Sequence, residues 1–283
     1  MSKKRVKYII LNVFIRMQKP YYQGVAAEMA FFFLMSMVPL FIIIAEIMGL
    51  FSLSVDIVGG FLAKYFSQDI ANSLMNYFTY TSSGTISILF LIFALWSASK
   101  AQYSMIRIAN YTYTGLNSGR GFILERVRAM VTVVVTIFLL VFNLAVLVYG
   151  KLIADIAAAY MESILLLPFR FNEVWFVLRW PAAVALCFIG VTFINYILPS
   201  RRLPIKKIIP GSIVTSTGIF TATWIYSFYM SKFSNYDLFY GSLASVVGLL
   251  IWFYILGYVM VIGIVFNAAL METCEDQTAA LRF

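Results

Sequence analysis

The chain has 283 residues, 62% hydrophobic and only 12% charged, too few charges to clothe a water-soluble exterior of that size. Its +9 formal charge, from 21 Lys and Arg against 12 Asp and Glu, would suit a nucleic-acid binder, but the long apolar blocks favour a membrane protein whose cytoplasmic loops collect cations. The absence of histidine removes the commonest general base and a favoured metal ligand, and Cys187 and Cys274 lie too far apart for a disulfide framework or a CxxC metal pair.

Residues 1–20 predict a basic amphipathic helix rather than a signal peptide, because Arg16 and Lys19 interrupt the apolar stretch and no small-residue cleavage site follows. Val6, Ile9, Ile10, Val13, Phe14 and Met17 fall on one face, with Lys3, Lys7, Asn12, Arg16 and Lys19 elsewhere, which suits a helix in the inner membrane interface. Pro20 is expected to end it.

Six apolar segments follow: Gly24–Phe51, Thr85–Ile108, Val127–Tyr149, Val174–Leu198, Ile208–Met230 and Gly241–Met271. Each reaches the roughly 20 residues that cross a hydrocarbon core, and as helices they satisfy their backbone groups internally. Lys100 and Arg107 can snorkel from the second helix, and Arg179 from the fourth. Sixteen of the 21 basic residues then fall on one side, including Arg120, Arg126 and Arg128 between the second and third helices and Arg201, Arg202, Lys206 and Lys207 between the fourth and fifth. That side should be cytoplasmic, with both termini on it.

The fold class is therefore all-α: a polytopic membrane protein with six transmembrane helices over residues 21–271, interfacial amphipathic helices, and a short, polar, frayed cytoplasmic tail at 272–283. Residues 56–80 and 152–167 carry helically spaced apolar residues, and read as amphipathic helices or lids on the outer face. No internal repeat of the kind that marks many transporters is visible.

Four blocks resemble the YihY/BrkB family of bacterial membrane proteins: GVAAEMAFFFLMSMVPLF (Gly24–Phe41), ALWSASKAQYSMIRIANYTY (Ala94–Tyr113), YILPSRRLP (Tyr196–Pro204) and FYGSLASVVGLLIWFYILGYVMVIGIVFNA (Phe239–Ala268). They stand in the family's order, and the similarity covers about residues 20–270. The resemblance implies six helices in the bacterial inner or plasma membrane and an ill-defined role. Members have carried a ribonuclease BN label generally considered mistaken; some are linked to virulence or serum resistance, and some are suspected of moving envelope lipids or their precursors. The family often has a longer hydrophilic tail, so roles that need a tail are not expected of this sequence.

Polar residues in the apolar segments are the candidate site, because charge inside a bilayer costs about 2.5–3.5 kcal/mol at a helix centre. Glu28, Ser97, Lys100, Asn195 and Asn267 fall in or near the inner half and are expected to converge on a substrate-binding cavity, with Glu28 paired to Lys100 or Arg107. The plainer account is an interfacial ion pair of Glu28 with Lys100, with the Asn residues bonding neighbouring helices. Glu46 and Asn143 could form a second, outer polar site or simply be solvated at helix ends, and Pro39 favours a kink that is either a hinge or static. Gly211, Thr215, Gly218 and Ala222 on the fifth helix, and Gly241, Ser245, Ala244 and Gly248 on the sixth, suit close packing together or against another subunit, including a homo-oligomer. Tyr236, Asp237, Tyr240 and Gly241 read as an outer gate or, more plainly, an aromatic belt.

No catalytic residue, metal site or cofactor is expected. No DxD, ExxE or HExxH pattern lies on a plausible face, and no phosphate loop is present. Ribonuclease activity is disfavoured, and no nucleic-acid partner is expected. The expected partners are membrane lipids, above all the anionic inner leaflet. A transport or lipid-translocation component is the leading expectation, and a non-transporting scaffold for envelope enzymes the alternative.

Overall fold

The computed structural model describes residues 3–50, 84–115, 121–139, 142, 171–232 and 244–280. Seven α-helices and no strand occur among them: α1 (Lys3–Met17), α2 (Pro20–Leu50), α3 (Gly84–Thr114), α4 (122–139), α5 (Phe171–Ile197), α6 (Ile205–Lys232) and α7 (Ala244–Ala280). The amphipathic segments expected at 56–80 and 152–167, residue Asn143, the side chains of Pro39 and Glu46, and the stretch Tyr236–Gly241 lie outside the described residues. Ile205–Tyr229 and Val246–Thr273 are long and apolar enough to cross a membrane, and Pro181–Ile197 is a shorter apolar helix.

Local chemistry sets the boundaries. Pro20 opens α2 instead of closing α1, which already stops at Met17. A proline at a first helical position loses only an N–H that would be orphaned anyway. Gly115 ends α3 with φ at 73°, its N–H donating to the Tyr111 carbonyl at 2.9 Å, and Gly121 precedes α4 with φ at 87°. Both use the left-handed region that glycine tolerates. Residues 272–280, expected to fray, continue α7. That stretch contains no glycine or proline, and Glu272 is held by Arg16 of α1 at 2.6 Å.

α2 packs against α3 and α7, α7 against α6, and α6 against α5, while α1 lies on α7 and α2. Side-chain bonds tie the start of α2 to the end of α3, the start of α4 to the end of α3 and to the turn after α5, and the start of α6 to the end of α7. Successive helices from α2 to α7 therefore alternate in direction. The buried apolar core lies at this shared end, with Met17, Tyr22, Val25 and Met29 against Met105, Ile106, Ala129, Leu198, Val261 and Ile264. The exposed Arg201, Arg202, Lys206 and Lys207 are at the same end, called the basic end below.

On the exposed sides of the bundle the polarity is inverted. Phe122, Ile123, Val131 and Phe138 of α4 and Trp224 and Phe228 of α6 are large, apolar and exposed. Large apolar side chains exposed in this number suit a lipid solvent rather than water. The stripe expected on α1 divides in two. Ile9 and Met17 are buried, whereas Ile10 and Phe14 are 58% and 60% exposed. Six residues span more arc than one packed neighbour can cover, so the stripe serves the core with one edge and leaves the other outside.

Candidate functional site at the basic end of the bundle

The expected convergence of Glu28, Lys100, Asn195 and Asn267 resolves into separate groups. Glu28, in the third turn of α2, forms an ion pair with Arg107 of α3, each side chain about three-tenths exposed. Of the two cations considered as its partner, Arg107 is the one that pairs. Tyr103 lies 6.0 Å from the Arg107 guanidinium, and Tyr21 and Tyr111 meet edge to face at 4.7 Å beside the pair. Burial raises the Tyr21 phenol above its ordinary value, against the opposing pull of the Arg107 charge.

Lys100 stands two turns before Arg107 and pairs with no carboxylate among the described residues. Its ammonium sits over the Trp96 and Phe32 rings, at 4.9 and 5.5 Å from their centroids. Ser97 is buried and donates to the Phe32 carbonyl at 3.1 Å, joining α3 to α2. Its observed contact is that interhelical bond.

Asn195 and Asn267 meet the same turn of α6 from two helices. Pro210 lies inside α6 and can donate no backbone hydrogen bond there. Asn267 of α7 spans the adjacent backbone: its Oδ1 accepts the Gly211 N–H at 2.6 Å, and its Nδ2 donates to the Ile208 carbonyl at 3.0 Å. From α5, Asn195 donates through Nδ2 to the Ser212 hydroxyl at 3.2 Å, and that hydroxyl donates to the same Ile208 carbonyl at 3.2 Å. Asn195 is 3% exposed and Thr215 0%, yet the Asn195 Oδ1 and the Thr215 hydroxyl have no protein partner. In an apolar surrounding such atoms cost free energy unless water or a ligand reaches them.

Close backbone approach makes this seam. A Cβ on Gly211 would strike the Gly263 carbonyl and the Asn267 amide, and one on Gly263 would strike the Thr215 hydroxyl. One on Gly218 would come within 2.6 Å of Val259. The small face expected on α6 is therefore used, and among the described residues it meets Val259, Gly263 and Asn267 of α7; Gly241 and the side chains of Ala244 and Ser245 lie outside the described residues. Gly263 was hidden in the sequence by its apolar neighbours.

A further polar cluster was missed. Glu125 of α4 is fully buried, and its Oε1 accepts from Asn110 of α3 at 2.9 Å and from the Ser200 hydroxyl at 3.4 Å. Asn110 Oδ1 accepts the Ser200 N–H at 2.7 Å. Arg128 donates to the Ile197 and Pro199 carbonyls and to Ser200 Oγ, capping the exposed carbonyl end of α5. The signal lay in the spacing of Glu125 and Arg128 at i, i+3, which puts an acid and a base on one helix side. Counting Arg128 only as a topology marker concealed it.

This arrangement supplies fixed hydrogen-bonding groups and cations at one end of an apolar bundle. A family model described as virulence factor BrkB matches residues 13–282. The chain is 29% identical to the ribonuclease-like protein YfkH of Bacillus subtilis (strain 168) over 252 residues, covering 88% of this chain and 90% of that protein. It is 24% identical over 273 residues to a UPF0761 membrane protein of Xanthomonas campestris pv. campestris (strain B100), covering 91% of this chain but only 59% of that relative. A UPF0761 membrane protein of Chromobacterium violaceum is 31% identical over 94 residues, 33% of this chain and 22% of that protein. No solved structure matches. The long apolar helices, the exposed apolar faces and the match across nearly the whole chain agree: this is a membrane protein that belongs to the BrkB virulence-factor family.

Proposed function

We infer that the protein is a non-enzymatic transport or lipid-translocation component of the bacterial inner or plasma membrane, with six transmembrane helices and both termini in the cytoplasm. The alternation of helix directions supports an even number of crossings, and the Arg16–Glu272 pair supports termini on one side. The concentration of Lys and Arg at that end supports its being the cytoplasmic one.

The observation that carries the transport reading is the polar seam around Pro210. A buried three-helix junction holds the Asn195 Oδ1 and Thr215 Oγ1 without protein partners. A conduit supplies such atoms with water or with polar groups of a substrate, whereas a scaffold has no use for them. The scaffold reading draws its support from the glycine-lined contact of α6 with α7, which is close-packed.

Reconstitution separates the two. Proteoliposomes carrying the wild-type chain are expected to move a fluorescent anionic phospholipid between leaflets faster than protein-free vesicles. Replacement of Asn195 by Leu is expected to slow that movement at least about tenfold, the effect of removing roughly one buried polar interaction. Equal rates in wild-type, N195L and empty vesicles would leave the scaffold reading standing.

A further inference from the structure

Lys100 and Arg126 come from different helices and converge on one indole. The Lys100 ammonium lies 4.9 Å from the Trp96 ring centroid, and the Arg126 guanidinium carbon lies 6.0 Å from it. Arg126 Nη2 also reaches the Trp96 carbonyl at 3.4 Å. Neither cation forms an ion pair among the described residues, whereas Arg16 and Arg107 each hold a glutamate. Cation–π attraction eases the desolvation of such charges without neutralising them.

The surroundings face outward. Trp96, Phe31 and Phe93 are 43%, 51% and 41% exposed, so the two cations stand on a flank of the bundle that meets lipid. Arg126 lies in the second turn of α4, which starts at the basic end, and Lys100 can snorkel towards that end from α3, so both charges reach for the headgroup level, where a phosphate is the available anion.

We propose that Lys100 and Arg126, arranged around Trp96, bind the phosphate of an anionic phospholipid, with its acyl chains lying along Phe31 and Phe93. Two cations from separate helices embrace a phosphate better than either does alone, because each N–H donor to phosphate is a charge-assisted bond. This assigns the protein a lipid class and goes beyond the translocation reading, since a lipid held here need not be one that is moved.

The test is native mass spectrometry of the full chain in a neutral detergent, titrated with phosphatidylglycerol. The double variant Lys100→Gln with Arg126→Gln is expected to weaken retention about fivefold per charge removed. Lys206→Gln with Lys207→Gln, which removes two exposed cations elsewhere, is expected to retain the lipid as wild type does. Diacylglycerol, which has no phosphate, is expected not to compete, and inorganic phosphate is expected not to displace the lipid. Should the Gln pair fail to fold, Lys100→Arg with Arg126→Lys keeps both charges and should keep the lipid. Wild-type retention by a folded Gln pair, loss of lipid from a folded charge-preserving pair, competition by diacylglycerol, or full displacement by inorganic phosphate would each overturn the proposal. The readout is retention rather than flux, so absence of translocation leaves this result independent.

Discussion

Asn267 and Glu28 are both polar residues on apolar helices, yet they hold different amounts of free energy. Asn267 is fully buried and satisfies two backbone groups of α6, the Gly211 N–H and the Ile208 carbonyl. Replacing it by Leu strands both groups and inserts a branched side chain at a glycine contact, a cost of about 2–4 kcal/mol. Glu28 and Arg107 are partly exposed, so their attraction is screened, and Glu28→Gln should cost only about 1 kcal/mol. Thermal unfolding in detergent is expected to rank N267L well below E28Q. The reverse order would mean that the ion pair, and not the Asn267 bridge, holds this end together. The sequence marked both residues as polar exceptions. The plainer reading, an ion pair for Glu28 and interhelical bonds for the asparagines, named the roles but not the cation that pairs or the backbone groups that are met, because those lie in what the opposing helix presents.

At the scale of elements, the contact of α6 with α7 is governed by what is missing from the side chains. Gly218 faces only the Val259 side chain, whereas Gly263 faces a hydroxyl and a backbone carbonyl. A methyl group at Gly218 should therefore destabilise by about 1–3 kcal/mol, and truncating Val259 to Ala should recover most of the loss in a double variant. The same methyl at Gly263 has no such remedy, since the Gly211 carbonyl at 2.9 Å cannot be shortened. Failure of V259A to rescue G218A would contradict this packing. The small face of α6 was legible because Gly211, Thr215 and Gly218 recur at helical spacing. Its partner was not, because Gly263 lies in an apolar run whose register against α6 depends on where the two helices cross.

For the whole molecule, both ends of the described chain gather at one end of the bundle, joined by Arg16 and Glu272. Reporter fusions at residue 1 and residue 283 are expected to give the same cytoplasmic response, and a fusion in the 233–243 connection the opposite one. Opposite responses from the two termini would contradict the proposed even-numbered topology. Breaking the tie by Glu272→Gln should leave that topology unchanged, because charge distribution rather than one pair sets orientation.

Residue order alone determined the chemical class of this protein: helical, lipid-solvated, without histidine, and rich in Lys and Arg. Those properties are sums over many residues, and no single contact can reverse them. Tertiary structure alone decided which polar groups meet: Glu28 with Arg107, Asn267 with the backbone beside Pro210, and Glu125 with Asn110 and Ser200. These partners lie on different helices, and helices in lipid are matched by the fit of small surfaces and a few directional bonds. Neither the spacing of residues along one helix nor its apolarity encodes which turn of a neighbour it will face.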